Sequence, residues 1–134
     1  MRRLTFLIVA VIVTSMILSA CGGAAAGPLT VQSVTLARTA GGAAVTTFSP
    51  ADHGFYAAIE LNRIETGLTA KVVWTAVATS AGQNTEVASK EFTALAGNVI
   101  NASVELPQDW PTGSYKLDVY LNGALANTTA FTVQ

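Results

Sequence analysis

The sequence predicts an all-β fold, an antiparallel two-sheet sandwich of seven or eight strands that follows an N-terminal signal segment. Two observations carry this prediction. From about residue 30 onwards, apolar and polar residues alternate in one segment after another, which is typical of strands with one buried face. Clusters of glycine, proline, asparagine and aspartate separate these segments at regular intervals, and no helical period is found.

The clearest element is a β-hairpin at the C-terminal end. Its first strand, Ser114 to Leu121, alternates between an inward apolar set and an outward set of Lys116, Asp118 and Tyr120. The inward set is Tyr115, Leu117, Val119 and Leu121. Asn122-Gly123 is suited to the positive φ angles of a two-residue type I′ turn. The second strand then runs to Phe131 and Val133.

Five further strands are expected before the hairpin. The first of them is an edge strand, and we expect Val45 to Phe48 to continue it after a break. The third strand places Trp74 inward as the largest core residue, with Ala78 inward near its end. A turn from Ser80 to Asn84 follows it. In chain order, the five strands are Thr30–Arg38, Phe55–Leu61, Leu68–Thr79, Thr85–Thr93 and Val99–Leu106.

Composition limits the classes of protein. The chain has 134 residues, which allows one domain with one core after a targeting segment is removed. Without Arg2 and Arg3, 5 basic residues remain against 8 acidic ones, a formal charge of about −3. The basic residues are scattered singly, so we expect no nucleic-acid binding. A single cysteine excludes an internal disulfide.

The N-terminal segment predicts export and a lipid anchor. Met1-Arg2-Arg3 is a short positive region, and Leu4 to Ala20 is an uncharged apolar run. Leu18-Ser19-Ala20-Cys21 resembles the lipobox of bacterial lipoproteins, and this resemblance implies two or three acyl chains attached at Cys21. The predicted parts of the chain are a lipoprotein signal peptide, a lipidated cysteine with a flexible tether, and the sandwich domain, at residues 1–20, 21–29 and 30–134.

Two alternatives to lipidation stay open. An ordinary signal peptidase would cut after Ala24-Ala25-Ala26, and an uncleaved segment would remain as a membrane anchor. Gly22 follows Cys21, in the place of the aspartate that retains lipoproteins of this family in the inner membrane. We therefore expect the cell envelope, in the outer membrane if the source has one and otherwise on the outer face of the cytoplasmic membrane.

Several residues carry a resemblance to immunoglobulin-like domains. Gly113-Ser114-Tyr115 is similar to the tyrosine corner of immunoglobulin-like and fibronectin-type domains, where the phenol oxygen bonds to nearby backbone. Trp74 is similar in position to their buried tryptophan. Phe48 to Asp52 and Trp110 to Gly123 look like immunoglobulin-like modules of bacterial exported proteins. The resemblance implies an immunoglobulin-like sandwich, without the antibody-type disulfide, and brings no particular activity.

Few residues offer chemistry. His53 is the only histidine, and beside Asp52 it lacks the further ligands of a zinc site, so we expect no metal and no cofactor. No nucleophile elbow or carboxylate pair is found, so we expect no enzyme. Trp110 stands in a turn, where alternation says nothing about burial. It either caps the core, which we favour, or stands partly exposed as a contact residue.

The leading hypothesis is a membrane-anchored extracytoplasmic binding or accessory module for another envelope protein or a cell-wall polymer. One candidate contact surface is the loop end formed by Ser49–Gly54, Ser80–Asn84 and Gln108–Gly113. Its candidate contact residues are Asp52, His53, Gln83, Asn84, Asp109 and Trp110. The other candidate surface is the outward hairpin face, with Tyr120, Lys116 and Asp118 beside Val73 and Val77 if those strands are neighbours.

A rival hypothesis is a small extracytoplasmic hydrolase or carbohydrate-active enzyme on a jelly-roll-like sandwich. It requires two of Asp52, Asp109 and Glu86 to face each other across a groove. A third possibility is a structural surface protein without a ligand.

The lipid anchor is tested by the intact mass of the protein extracted from membranes of its own host. We expect a chain that starts at Cys21 and carries diacylglycerol, because the thiol is the attachment point. A Cys21→Ala variant is expected to lose this mass. A chain starting at Gly27, or an intact Met1, would contradict the anchor.

Overall fold

The computed structural model describes residues 27–134, so the predictions for Cys21 and the signal segment lie outside the described residues. A 3-10 turn, Pro50–Asp52, stands between the second and third of eight strands. The strands are β1 (Val31–Ala37), β2 (Thr47–Phe48), β3 (Gly54–Leu61), β4 (Thr69–Thr79), β5 (Gly82–Thr93), β6 (Val99–Glu105), β7 (Gly113–Leu121) and β8 (Ala124–Val133). Within this range, no helix has the length and apolar character needed to cross a membrane.

The strands form two sheets whose apolar faces share one core. One sheet has three strands in the order β1-β3-β6, and the other has five in the order β2-β8-β7-β4-β5. Neighbouring strands are antiparallel, except that the short β2 runs parallel to β8. The predicted all-β two-sheet sandwich is confirmed.

Alternation along the strands decides which side chains enter the core. In β3 every second residue is buried, and β7 buries its predicted inward set in the same way. Burial of this apolar surface is the main favourable contribution to folding. The buried apolar side chains of β3 and β7 are Phe55, Ala57, Ile59, Leu61, Tyr115, Leu117, Val119 and Leu121.

The C-terminal hairpin has the predicted turn. Leu121 pairs with Ala124, which leaves two residues in the loop. Asn122 and Gly123 have φ angles of 49° and 83°, as a type I′ turn requires. The Asn122 backbone N–H also donates to the Thr69 carbonyl at 2.8 Å, and its side-chain oxygen accepts from the Thr69 N–H at 3.1 Å. The turn is therefore attached to the start of β4.

The predicted tyrosine corner is present at the start of β7. The Tyr115 hydroxyl donates to the Pro111 carbonyl at 2.6 Å, and burial raises the pKa of this phenol. Gly113 has a φ of 140°, and a Cβ at this position would lie 2.2 Å from the Ala78 carbonyl oxygen. Only glycine permits this close approach, which brings the connection before β7 against the end of β4.

Aromatic rings fill the core at this end of the sandwich. Phe55, from the three-stranded sheet, stacks on Trp110 with ring centroids 4.0 Å apart and lies 6.0 Å from Trp74. Three more rings meet Phe55 edge to face at 4.7 to 5.7 Å, namely Phe48, Tyr115 and Phe131. Ring pairs at these distances add to the stability that burial alone provides.

The structure corrects three predictions about strands. Val45–Phe48 does not resume the first edge strand, because β2 crosses to the other sheet and pairs with β8. The turn after β4 is shorter than predicted, since β5 already begins at Gly82. Ala78 is exposed, because the register between β4 and β7 shifts between Ala76 and Ala78. Such a bulge reverses the face on which later residues lie.

A Tyr115→Phe substitution is expected to lower the free energy of unfolding by about 1–2 kcal/mol, because it removes the bond to the Pro111 carbonyl but keeps the ring. Urea denaturation measures the difference. Tyr120→Phe, which removes the same oxygen from the outer side of the same strand, is the control and should change stability by less than about 0.5 kcal/mol. Equal effects of the two substitutions would contradict the role of the corner.

Candidate functional site

The loops predicted to form one end of the sandwich do meet there. Backbone hydrogen bonds join the loop before β3 to the β6–β7 connection, from Leu106 to His53 at 2.9 Å and from Trp110 to Pro50 at 3.0 Å. A third bond, from the Ser80 N–H to the Thr112 carbonyl, attaches the β4–β5 turn to the same connection at 2.9 Å. We call this group of loops the loop end.

Asp52 is bound within the protein at the loop end. Its carboxylate accepts from the Ser49 backbone N–H at 2.7 Å and from the Arg38 guanidinium at 2.9 Å. Arg38 also donates to the Thr47 carbonyl at 2.9 Å. Burial raises the pKa of Asp52, but these two donors outweigh it, so the pKa lies below its ordinary value. Asp52 therefore stabilises the loop between β2 and β3.

His53 has a different partner from Asp52. Its Nε2 lies 3.0 Å from the Asp109 carboxylate, and the two side chains are 50% and 70% exposed. Exposed pairs of this kind contribute little to stability. Asp52 and His53 are adjacent in sequence but bind different partners. No cluster of three or more potential metal ligands occurs in the described part of the chain.

Trp110 is a core residue in the structure. It is 2% exposed and stacks on Phe55. The favoured prediction, a cap over the core, agrees with the structure, whereas the alternative of a partly exposed contact residue does not. A turn residue can be buried when the turn folds back over the sandwich, and the bond from the Trp110 N–H to the Pro50 carbonyl holds it there.

The outward face of β7 lies beside β4, as the hairpin hypothesis requires. Tyr120 pairs with Lys71 of β4, which in turn pairs with Glu91 of β5. In the next row Asp118 pairs with Val73. Val77 is half-buried at the bulge of β4. Tyr120, Lys71, Glu91 and Val73 therefore share the outer face of the five-stranded sheet, which we call the sheet face.

Asp118 lies on the sheet face but is buried, with 4% exposure. Its carboxylate accepts from the Thr128 hydroxyl at 2.6 Å and from the Lys116 ammonium at 2.8 Å. The bond to Asp118 raises the pKa of Lys116. Asp118 lies on the outward face, as predicted. It is not accessible to a partner, however, because Thr128 and Lys116 cover it. Tyr120 is half-buried on the same face.

A shallow cavity of about 430 Å³ opens on the sheet face. Beside Tyr120 it brings together Lys71, Glu86 and Glu91, none of which was among the predicted contact residues. Alternation along the strand predicts that Lys71 points outward. Which residues of β5 lie beside it follows only from the register between the two strands, which the sequence does not give. The cavity is lined by Thr69, Lys71, Val73, Glu86, Glu91, Tyr120 and Gly123, and we call it the sheet cavity.

Two solved structures share this architecture. An immunoglobulin-like protein from Pseudomonas aeruginosa is 14% identical with a TM-score of 0.51, and the match covers 81% of this chain and 94% of that protein. The alkylpurine DNA glycosylase AlkC of Pseudomonas fluorescens, bound to DNA containing an abasic site analog, is 11% identical with a TM-score of 0.52. That match covers 82% of this chain but 31% of the glycosylase.

Likenesses at these identities show the fold alone. Residues 27–134 form an immunoglobulin-like β-sandwich. No protein-family model matches the chain, and no curated protein matches it in sequence.

An Asp52→Asn variant is expected to lose about 1 kcal/mol of stability at pH 7, the difference between a hydrogen bond to a charged group and one to a neutral group. Because the folded pKa lies below the ordinary value of 3.8, this contribution is present above the unfolded pKa and is lost as the pH falls through the folded pKa. Urea denaturation of both proteins from about pH 7 to 2.5 should show the difference vanishing at the acidic end.

Asp109→Asn is the matched control, because Asp109 is 70% exposed. It should change stability little at any pH. A difference between wild type and Asp52→Asn that stayed constant down to pH 2.5 would contradict the role of the charged carboxylate.

Proposed function

We propose that this chain is a membrane-anchored extracytoplasmic binding or accessory module that contacts another envelope protein or a cell-wall polymer through the sheet face. The proposal includes a lipid on Cys21 and contains no catalytic step. The observation that carries the choice of surface is the sheet cavity, where an aromatic ring and charged groups from three strands meet on one rigid sheet.

The loop end supports a contact role less well than the sheet face. Its charged residues are used within the domain, since Asp52 is bound to Arg38 and His53 to Asp109. Its aromatic residue, Trp110, is in the core. Binding surfaces usually combine an aromatic anchor with charged groups around it, and this combination is found at the sheet cavity.

The charges of the sheet cavity favour a partner with a basic group. Its lining includes one lysine, Lys71, and two carboxylates, Glu86 and Glu91. Complementary charge at an interface mainly increases the rate and specificity of association. We therefore propose that the partner brings a lysine, an arginine or a free amino group to one of the two carboxylates, Glu86 or Glu91, and packs an apolar group against Tyr120 and Val73.

The position of the first described residues supports an orientation for the anchored domain. Asn62 donates to the Pro28 carbonyl at 2.9 Å, and Arg63 donates to the Gly27 carbonyl. Five residues lie between Cys21 and Gly27, so the two are at most about 20–22 Å apart. With a lipid on Cys21, the end of the sandwich that carries Asn62 would face the membrane, and the loop end would point away from it.

The hydrolase alternative finds no support in the carboxylates that it requires. Asp52 and Asp109 have different partners at the loop end, Arg38 and His53, whereas Glu86 lies in the sheet cavity. Glu86 and Glu91 share the sheet cavity, but they pair with Thr75 and Lys71 of β4, which lie about 13 Å apart along that strand. Catalytic carboxyls of glycosidases lie about 5–9.5 Å apart.

Photo-crosslinking in the native host tests the binding surface. A benzophenone amino acid placed at Tyr120 is expected to capture the partner, because the ring borders the sheet cavity. The same amino acid placed at Tyr56, on the outer side of the three-stranded sheet, is the matched control and should capture at least about tenfold less, the usual effect of leaving a hot spot. Digestion of the product by protease or by a muramidase distinguishes a protein from a cell-wall polymer.

Charge reversal provides the second part of this test. In the Tyr120 crosslinker background, Glu86→Lys with Glu91→Lys should reduce capture at least about tenfold, because the partner's basic group loses its counter-charges. Glu60→Lys with Glu105→Lys makes the same change in charge on the other sheet and should leave capture unchanged. Equal yields from positions 56 and 120, or equal effects of the two double variants, would refute the sheet face as the contact surface.

A further inference from the structure

Four segments of the chain meet at the end of the sandwich opposite the loop end. The Asn62 N–H donates to the Thr30 carbonyl at 3.1 Å, and the Leu61 N–H donates to the Asn98 carbonyl at 2.8 Å. These bonds join the first described residues and the β5–β6 loop to the end of β3. The β7–β8 turn is attached to the start of β4, directly after the β3–β4 loop. The four segments are residues 27–30, 62–68, 94–98 and 122–123, and we call them the tether end.

Large apolar side chains are exposed around the tether end. Ile64 is 44% exposed in the loop that joins the two sheets. Val99, the first residue of β6, is 45% exposed, and Leu125, the second residue of β8, is 56% exposed. No other large apolar side chain among residues 27–134 is exposed to this extent. Exposed apolar groups that gather at one place mark a contact surface.

The polar side chains of the tether end are largely bonded within the protein. Its three asparagines hydrogen-bond through their side chains to the protein backbone at 2.9 to 3.2 Å. Its two charged residues, Arg63 and Glu65, form an ion pair with each other, so the tether end carries no net charge. Polar groups that already have partners cost less free energy to remove from water than unpaired ones. The asparagines are Asn62, Asn98 and Asn122.

The chain that leads to Cys21 starts from this end of the domain. Arg63 donates to the Gly27 carbonyl, which holds the first described residue there. With a lipid on Cys21, the tether end stays within about 22 Å of the attachment point. Such a linkage gives the tether end a high effective concentration at the membrane, so that contacts too weak to hold a free domain are still made.

We propose that the tether end is a lipid-binding surface, whose Ile64, Val99 and Leu125 side chains enter the interfacial layer of the membrane that holds the anchor. Apolar side chains without an excess of basic residues suit the boundary between headgroups and acyl chains, and not an anionic headgroup. The inference rests on the lipid anchor of the proposed function. It adds a contact that fixes the direction of the domain, with the loop end pointing away from the membrane.

Charged residues on the strands set the depth of this contact. Glu60 pairs with Val99 across β3 and β6. On the other sheet, Tyr120 pairs with Leu125 on one side and with Lys71 on the other. Charged side chains stay at the level of the headgroups, because the hydrocarbon layer excludes them. The domain therefore enters only as far as the row of Glu60 and Lys71, about 5–10 Å as for other interfacial segments.

Photo-crosslinking to lipid in the native host tests the inference. A benzophenone amino acid placed at Thr66, an exposed residue of the β3–β4 loop, is expected to add the mass of one phospholipid to the chain. The same amino acid at Gln108, exposed at the loop end, is the matched control. It should give less than about a tenth of this adduct, because β4, with 11 residues and a length of about 35 Å, separates the two ends.

Substitutions distinguish insertion from mere closeness to the membrane. In the Thr66 crosslinker background, Ile64→Ser with Val99→Ser should lower the lipid adduct at least about fivefold, because the apolar contact is lost. Ile64→Leu with Val99→Leu keeps the apolar character and should retain the adduct. Both residues are nearly half exposed, so the variants are expected to fold, and circular dichroism provides the check. Leu125 is left unchanged because it lies beside Tyr120 of the sheet face.

A control pair removes the same kind of side chain at the other end. Val77 lies at the bulge of β4, and Val87 lies beside Trp110. Val77→Ser with Val87→Ser should leave the lipid adduct at Thr66 unchanged. A domain that is only tethered would give the same yield in both pairs of serine variants, and this result would overturn the inference.

The intact mass of each product separates this inference from the anchor on which it rests. On a chain that carries a lipid at Cys21, equal adducts at Thr66 and Gln108, or a captured protein in place of phospholipid at Thr66, would overturn the inference and leave the anchor standing. A phospholipid adduct at Thr66 on a chain without a lipid at Cys21 would support the membrane contact and refute the anchor. Absence of both would refute both.

Discussion

The position of Phe55 between the two sheets is the contact on which the rest of the structure depends. Its ring comes from the three-stranded sheet and meets rings from four strands of the other sheet and one ring from the β6–β7 connection. Burying one phenylalanine contributes about 1.5–3 kcal/mol, and each favourable ring pair adds about 0.5–1.5 kcal/mol. With a single cysteine in the chain, such contacts are what holds the sheets together. The partner rings are Phe48, Trp74, Trp110, Tyr115 and Phe131.

This cluster also explains why the two candidate surfaces differ. The stack of Trp110 on Phe55 draws the β6–β7 connection over the end of the core. The loops there become attached to one another, and their charged residues pair within the domain. On the sheet face, by contrast, the sheet cavity is open. Its outward side chains stand on a rigid sheet, an arrangement that lowers the entropy lost when a partner binds.

Local pattern predicted much of the fold and part of the candidate site. Alternation placed Phe55 and Tyr115 inward and Tyr120 outward, because side chains of a strand alternate between its faces. It was wrong for Ala78, where a bulge shifts the register, and it said nothing about Trp110 in its turn. Bulges arise from pairing with another strand, so the sequence of one strand does not reveal them.

The sequence by itself determined the approximate places of seven of the eight strands, the faces that most of them bury, and the turn at Asn122-Gly123. These features depend on residues close together in the chain, through side-chain alternation and the φ angles that a turn requires. Only the tertiary structure decided that Lys71 lies between Tyr120 and Glu91, and that the Trp110 N–H is buried with no acceptor among residues 27–134. Both depend on which distant segments pack together and in what register. Burial of the apolar faces determines that register.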